Sequence, residues 1–375
     1  MNVLIYSSVF YPSIGGVETI SDTLAENFCK MGVSVTLLTE TPLQTYPVKN
    51  FPYPVIRHPS FRERLRLVKQ AELVFSNGAS MALLFFAIFF RKPFVWTHNG
   101  YQLSSIDGLG WEEGKPSPLQ PFASIKFHSK LKGIRYAVKE GAKLYLRRFM
   151  GRFVNKNIAA TNWVARRQPL PNQIVLYTPY RLDSFKNNRI SEKKYDFIYV
   201  GRLVSEKGVA TLLKAFKKLV NHENHADKKL VIVGDGTWRT VLEELHAELN
   251  LTNNVFFVGK KTGKNLLETI EQAEIAIVPS EWEEPMGGVT LELMAAGKCL
   301  IVSSNGGHAE CAGDAALTFP NGNADGLYKR MIELLENEAL RYQLKKNALR
   351  RIHLFEEEKL SKNYKEVFEQ IIANV

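Results

Sequence analysis

Two loops hold the residue types that a site for phosphates and sugar hydroxyls requires. In the first, Pro279-Ser280-Glu281-Trp282-Glu283-Glu284-Pro285-Met286-Gly287-Gly288 leads from an apolar strand ending at Val278 into a helix running through Val289 and Glu292 to Gly297. The uncapped N–H groups and positive dipole end of that helix suit an anion such as a diphosphate. Gly287 and Gly288 have no side chains, so a ligand can approach the backbone closely. Glu284 falls in the loop ahead of the helix, and Glu292 about one turn inside it. Both can face one site, because Glu284 is not bound by helical phase. Carboxylates repel a bare phosphate, but a ligand that also bears sugar and ribose hydroxyls gives them donors to accept from. Reading them as helix-terminal charge and a solvated side chain leaves the glycine pair and the spacing unexplained. In the second loop, Gly201-Arg202-Leu203-Val204-Ser205-Glu206-Lys207-Gly208, Arg202 offers a bidentate fork to phosphate and Lys207 a point charge.

The elements that would carry these loops follow from hydrophobic periodicity. Val3–Tyr6 reads as a strand, followed by a loop through Gly15-Gly16 and a helix from about Val17 to Met31. That helix has Ile20, Leu24 and Phe28 on one stripe, and a strand at Ser34–Leu38 follows it. Continued alternation predicts a parallel sheet with helices on both faces. The pattern restarts at Asp196–Val200, with further strands at Leu230–Val233, Val255–Val258 and Ile275–Val278. The expected architecture is therefore α/β, two doubly wound Rossmann-like domains spanning 1–185 and 186–355, joined through the polar stretch Tyr177–Lys194. A last helix, about 356–375, is expected to pack back on the first domain. Arg202 and Lys207 then sit at the carboxyl edge of the second sheet, where open α/β sheets bind ligands.

Composition narrows the class. Apolar residues make up 45% and charged residues 23%, as in a soluble globular protein. Cys29, Cys299 and Cys311 are too far apart for a metal or redox pair and read as buried thiols. The N-terminus lacks the basic flank and cleavage site of a signal peptide. The longest apolar run, Met81–Phe90, is about half the length of a membrane span and predicts a buried crossover helix. A cytoplasmic location is expected.

Charge is unevenly spread. Residues 1–190 hold 25 Lys and Arg against 11 Asp and Glu, while the remainder hold 24 against 27. The first half therefore favours an anionic partner. Its basic residues concentrate in 110–156, where Lys126, Lys130, Lys132, Arg135, Lys139, Lys143, Arg147 and Arg148 alternate with Phe122, Phe127, Leu131, Ile134, Val138, Leu146 and Phe149. An amphipathic cationic helix pair is expected, able to meet an anionic membrane or acceptor surface; ordinary domain helices with a solvated outer face are the competing reading.

The chain resembles the large retaining family 4 of glycosyltransferases, with the two-domain GT-B fold facing across a cleft. The residues that carry the resemblance are Gly15-Gly16-Val17-Glu18, the Gly201–Gly208 loop, and Glu284 and Glu292 with seven residues between them. Val95-Trp96-Thr97-His98, Leu230–Gly236 and Gly306-Gly307 before Glu310 support it. The resemblance spans nearly the whole chain and implies a role for each matching position. Arg202 and Lys207 neutralise a donor diphosphate, backbone groups of Gly287, Gly288 and Val289 beside Met286 hold phosphates or sugar, Glu284 holds sugar hydroxyls and Glu292 the ribose. Gly15 and Gly16 close over the phosphate, His98 lies near the transferring sugar, and Gly259-Lys260 faces the base. Departures occur at Met286, where the family usually has Phe, at Asn99 after the histidine, at Ala309 in place of proline, and at Thr178-Pro179. None removes a phosphate or sugar ligand.

The resemblance implies a metal-independent, retaining transfer of a hexose-type sugar from a nucleotide diphosphate donor, with no cofactor. The expected acceptor is a hydroxyl of a glycan or lipid-linked glycan, as in bacterial polysaccharide, lipopolysaccharide or capsule assembly, on the inner face of the plasma membrane. A nucleotide-sugar epimerase or phosphorylase of the same fold, or an inactive donor-binding scaffold, would share these residues. Nucleic acid is not an expected partner, since no recognition module is present and half the chain is acidic. A dinucleotide oxidoreductase fails because Gly234-Asp235-Gly236 is followed by Arg239 where the last glycine belongs.

Overall fold

The computed structural model describes residues 1–12, 15–42, 49–78, 80–186 and 192–374. It divides into two compact units. The first comprises Met1–Gly110, Ser117–Arg181 and Phe355–Val375, the second Trp111–Pro116 and Leu182–Leu354. Residues 187–191 of the polar connector lie outside the described residues.

In the first unit, β1 (Asn2–Ser7) leads to α1 (Gly16–Lys30), followed by β2 (Ser34–Thr39), β3 (Val55–Arg57), α2 (Phe61–Gln70), β4 (Leu73–Asn77), α3 (Met81–Phe89) and β5 (Phe94–His98). A short antiparallel hairpin, β6 (Trp111–Glu112) and β7 (Lys115–Pro116), belongs to the second unit. The chain then returns through α4 (Pro121–Lys132), α5 (Ile134–Met150), β8 (Lys156–Ala159), α6 (Asn162–Arg167) and β9 (Gln173–Val175). The strand order is β3-β2-β1-β4-β5-β8-β9, all parallel. Its central strands are buried on both faces, which is why Val3-Leu4-Ile5-Tyr6 reads as an unbroken apolar run.

The second unit repeats the plan with β10 (Tyr195–Val200), α7 (Val209–Val220), β11 (Leu230–Val233), α8 (Arg239–Glu248), β12 (Val255–Phe257), α9 (Gly263–Glu271), β13 (Ala273–Val278), α10 (Gly288–Ala295), β14 (Cys299–Ser303), α11 (Gly307–Ala312), β15 (Ala316–Phe319), α12 (Ala324–Glu336) and α13 (Glu338–Arg351). Its order is β12-β11-β10-β13-β14-β15, again parallel. In each sheet the order reverses beside the first strand, and the loops leaving that strand and its neighbour open at the carboxyl edge. Leu212, Leu213, Phe216 and Leu219 of α7 are fully buried, each contributing about 2 kcal/mol of transfer free energy.

The final helix, α14 (Glu357–Ala373), belongs to the first unit. It buries Tyr364, Phe368 and Ile371 in one cluster with Ile20, Leu24, Phe28 and Phe75. The Phe28 and Phe368 rings meet edge to face at 5.5 Å, and Asn27 donates to Ser361 Oγ at 3.2 Å.

Two expectations of burial fail: Cys29 is only partly buried, and α3 departs as well. α3 is a helix, but not a buried one: Leu83, Leu84, Phe86 and Ala87 pack inward, whereas Phe85, Ile88 and Phe89 are exposed. A uniformly apolar run has no polar face to show which side meets solvent, so its letters alone suggest burial all round.

Candidate functional site

The loops at the carboxyl edge of the second sheet are stacked by glycines. Gly208 adopts φ +68°, and a Cβ built there would lie 2.0 Å from the Pro279 carbonyl oxygen. Gly234, at φ +152°, packs equally tightly on the Gly201 carbonyl, and its N–H bonds Gly259 O at 2.9 Å. Gly234-Asp235-Gly236 thus serves backbone packing against the Gly201–Leu203 turn. The hairpin also ties in here: Trp111 Nε1 donates to Ser205 Oγ at 2.9 Å.

This stacking brings Lys207 onto Glu284. Lys207 Nζ donates to Glu284 Oε1 at 2.8 Å, and Ser280 Oγ donates to the same oxygen. Glu284 is 9% exposed. Burial acts to raise its pKa, but the Lys207 charge and the Lys207 and Ser280 hydrogen bonds outweigh burial and hold it below the ordinary carboxylate value. The carboxylate is therefore ionised, oriented and still able to accept further hydrogen bonds. The Glu284 carbonyl accepts from Gly307 N–H at 2.5 Å, and Asn321 Nδ2 reaches the carbonyls of Glu281 and Trp282 at 3.3 and 3.4 Å.

Behind the loop lies His308, which the sequence reading passed over. It is fully buried, with Nε2 2.9 Å from Ser303 Oγ. Ser303 spends its proton on Ser280 O at 2.6 Å, so His308 Nε2 is the donor and Nδ1 is bare. Nδ1 finds no partner in this network. Burial lowers the His308 pKa, keeping the ring neutral. Nothing in the sequence spacing marks it, since its partners belong to a neighbouring strand and loop.

α10 begins at Gly288, with Gly287 at its N-cap and no side-chain cap. Met286 is buried. The N–H groups of Gly288 and Val289 fall in the first turn, where a helix has no acceptor of its own to offer them. Glu292, one turn on, has its pKa pushed up to about 7 by burial, with no cation to offset it. Arg202 is the opposite case, 68% exposed and 3.5 Å from Glu206. Gly259, at φ +73°, turns the chain after β12, and Lys260 is exposed.

In the first unit, Gly15 and Gly16 open α1 at the carboxyl end of β1. His98 ends β5 but is buried and committed. Its Nε2 lies 2.9 Å from Asn157 Oδ1, while Asn157 Nδ2 donates to Gly151 O and Pro171 O at 2.9 and 2.8 Å. Nε2 is thus the donor, and burial lowers the pKa to about 4. His98 is a neutral ring at ordinary pH, not a cation for phosphate. A polar cluster that the sequence reading missed lies at the same sheet edge: Asn77 Nδ2 donates to Ser21 Oγ at 2.7 Å and Val17 O at 3.1 Å, and accepts from Asn99.

The 110–156 segment contains the expected helix pair. On α4 and α5, Lys126, Lys130, Lys132, Arg135, Lys139 and Lys143 are exposed, beside the exposed Phe122, Ile134, Val138, Tyr145, Leu146 and Phe149. Arg147 is half-buried. Arg148 is a correction to the surface assignment: it turns inward and donates to Leu103 O and Pro169 O at 2.9 and 3.2 Å. No helix among the described residues is long and apolar enough to cross a membrane.

Comparisons with known proteins meet this geometry in the second unit. Residues 181–351 match the family of glycosyl transferases group 1. An uncharacterized glycosyltransferase of Methanocaldococcus jannaschii, MJ1607, is 40% identical over 113 residues, 30% of this chain and 28% of its own. N-acetyl-alpha-D-glucosaminyl L-malate synthase of Bacillus anthracis is 28% identical over 192 residues, 50% of this chain and 49% of its own. The chain thus spans between about a quarter and a half of these relatives' length. Among solved structures, HepE of Anabaena in complex with UDP-glucose superposes with a TM-score of 0.71 at 15% identity, over 99% of this chain and 100% of its own. The likeness extends over both Rossmann-like halves, and the fold is GT-B.

Proposed function

We propose that this chain, whose residues 181–351 belong to the group 1 glycosyl transferases, moves a sugar from a nucleotide diphosphate donor to an acceptor hydroxyl with retention of configuration. The observation that carries the reading is the buried Glu284 carboxylate, held by Lys207 and Ser280 beside the glycine-opened end of α10. That arrangement pairs an oriented acceptor for sugar hydroxyls with cationic and N–H donors for phosphate. Lys207 and Arg202 stabilise the diphosphate as its bond to the sugar breaks, the backbone of Gly288 and Val289 takes phosphate or sugar oxygens, and Glu292 accepts from the ribose. The Gly259-Lys260 turn faces the base.

In the proposed transfer, the acceptor oxygen bonds to the anomeric carbon on the face from which the phosphate leaves. The carbon–oxygen bond to the phosphate breaks, and the acceptor proton passes to the departing phosphate. Glu284 orients and does not form a covalent intermediate. The positive field of Arg202, Lys207 and the helix end performs the task a metal would otherwise perform. HepE binding UDP-glucose favours a hexose-type donor.

The exposed cations and apolar side chains of α4 and α5 support an acceptor at an anionic membrane surface, such as a lipid-linked glycan in bacterial polysaccharide, lipopolysaccharide or capsule assembly. Slow donor hydrolysis tests the chemistry without a known acceptor. In EDTA, proton NMR should detect the released sugar first in the donor's own anomeric form. Release of the inverted anomer, or dependence on added metal, would overturn the mechanism.

A further inference from the structure

The exposed face of α3 takes no part in the transfer chemistry, and its composition demands a partner. Phe85 is 61% exposed, Ile88 42% and Phe89 69%, and with Ala82 they form a stripe at helical spacing. The run Met81–Phe90 contains no charge. Between α2 and α3 lies a shallow, open groove lined by Phe61, Met81, Ala82, Phe85 and Phe86, with Arg64 as its charged member. Arg64 is already committed, to Glu40 and to the Pro59 carbonyl, both at 3.0 Å. Phe61 is itself 67% exposed and meets Phe86 edge to face at 5.2 Å. A large aromatic patch of this kind is unusual on a surface without a partner.

The surroundings specify what covers it. Residues 59–92 contain six basic side chains against two acidic ones. Arg62, Arg66 and Lys69 project from α2, and Arg91 follows the C-terminal end of α3, all exposed. Glu63 is drawn to Arg66 at 3.7 Å, which leaves the outer rim basic. An apolar centre with a cationic rim is complementary to an anionic bilayer: aromatic rings enter the acyl boundary while guanidinium groups meet headgroup phosphates.

We propose that the α2–α3 face is a lipid anchor, with Phe85, Ile88 and Phe89 inserted into an anionic phospholipid leaflet. A lipid acyl chain lies along the groove beside Phe61, and Arg62, Arg66 and Arg91 bind the headgroups. The anchor deepens the membrane reading given for α4 and α5 but is a separate surface, and the two can be told apart.

The test is sedimentation of the full chain with phosphatidylcholine vesicles, with and without phosphatidylglycerol. F85S/F89S and K139E/K143E variants are compared with the unmodified chain. All four positions are exposed, so each variant should retain the unmodified melting temperature. The unmodified chain should bind the anionic vesicles selectively, and F85S/F89S should weaken that binding at least about tenfold. A tryptophan introduced as F89W should be quenched by lipids brominated on their acyl chains. Unchanged binding of F85S/F89S with loss in K139E/K143E would overturn the anchor and leave the α4–α5 surface standing. Equal binding to neutral vesicles would refute the headgroup contacts, and binding to neither would refute both membrane surfaces.

Discussion

The protonation state of Glu292 should couple donor binding to pH. Burial holds its pKa at about 7, against an ordinary value of 4.5, so near neutral pH about half of the free protein carries a protonated carboxyl there. A carboxylate that accepts from ribose hydroxyls is favoured by the ligand in its ionised form. Binding must then release the proton, and the apparent Kd grows by a factor of one plus ten raised to the difference between pKa and pH. The factor is about 11 at pH 6 and about 1.1 at pH 8, a roughly tenfold loss of affinity on acidification, or about 1.4 kcal/mol. The ligand should be a nucleotide sugar, because a free nucleoside diphosphate has its own ionisation near 6. Calorimetry in buffers of different ionisation enthalpy reads both affinity and proton release. Glu292→Gln should abolish the release and flatten the pH dependence. Linkage fixes the matching stability effect: a carboxyl with a raised folded pKa contributes stability that is complete below about 4.5 and lost as pH rises through about 7, up to about 3 kcal/mol. The variant should therefore gain on the unmodified chain above pH 7. No proton release between pH 6 and 7, or the same release in Glu292→Gln, would refute the ribose assignment.

Three further outcomes are expected. Glu284→Ala, or loss of both Arg202 and Lys207, should lower donor turnover about a hundredfold or more, measured as nucleotide release. Near-normal turnover in both would sink the site. Gly208→Ala forces a side chain into the Pro279 carbonyl at positive φ and should cost more than about 2 kcal/mol in denaturant unfolding, where an ordinary surface glycine would cost little. Arg148→Ala removes the donor to the Leu103 and Pro169 carbonyls and should cost about 0.5–1.5 kcal/mol, whereas Lys139→Ala should stay within about 0.5 kcal/mol. Equal effects at the two positions would return Arg148 to the surface set.

Both parallel sheets were legible because doubly buried strands read as apolar runs and their helices carry one apolar stripe, as in α1 with Ile20, Leu24 and Phe28. The Glu284 loop was legible because a strand, an acidic loop and a glycine-opened helix form one contiguous pattern. What could not be read were pairings set by tertiary folding. His98 and Asn157 are separated by 59 residues, and only the folded sheet shows the ring to be buried and neutral. Ser303 and His308 reach Ser280 from a different strand and helix. Arg148 has the letter of a surface cation, yet its partners are carbonyls of distant loops. The apolar run in α3 carries no polar residue to mark its outward side, so its exposed aromatics were invisible in advance.

The central claim is that the second unit holds a nucleotide diphosphate sugar through Arg202, Lys207 and the α10 end. A thermal-shift panel of UDP, GDP, ADP and their common sugar conjugates in EDTA tests it most directly. Stabilisation by one nucleoside diphosphate is expected, stronger with one sugar attached and lost when Arg202 and Lys207 are both replaced by Ala. No shift with any member of the panel, or a shift untouched by the double replacement, would contradict it.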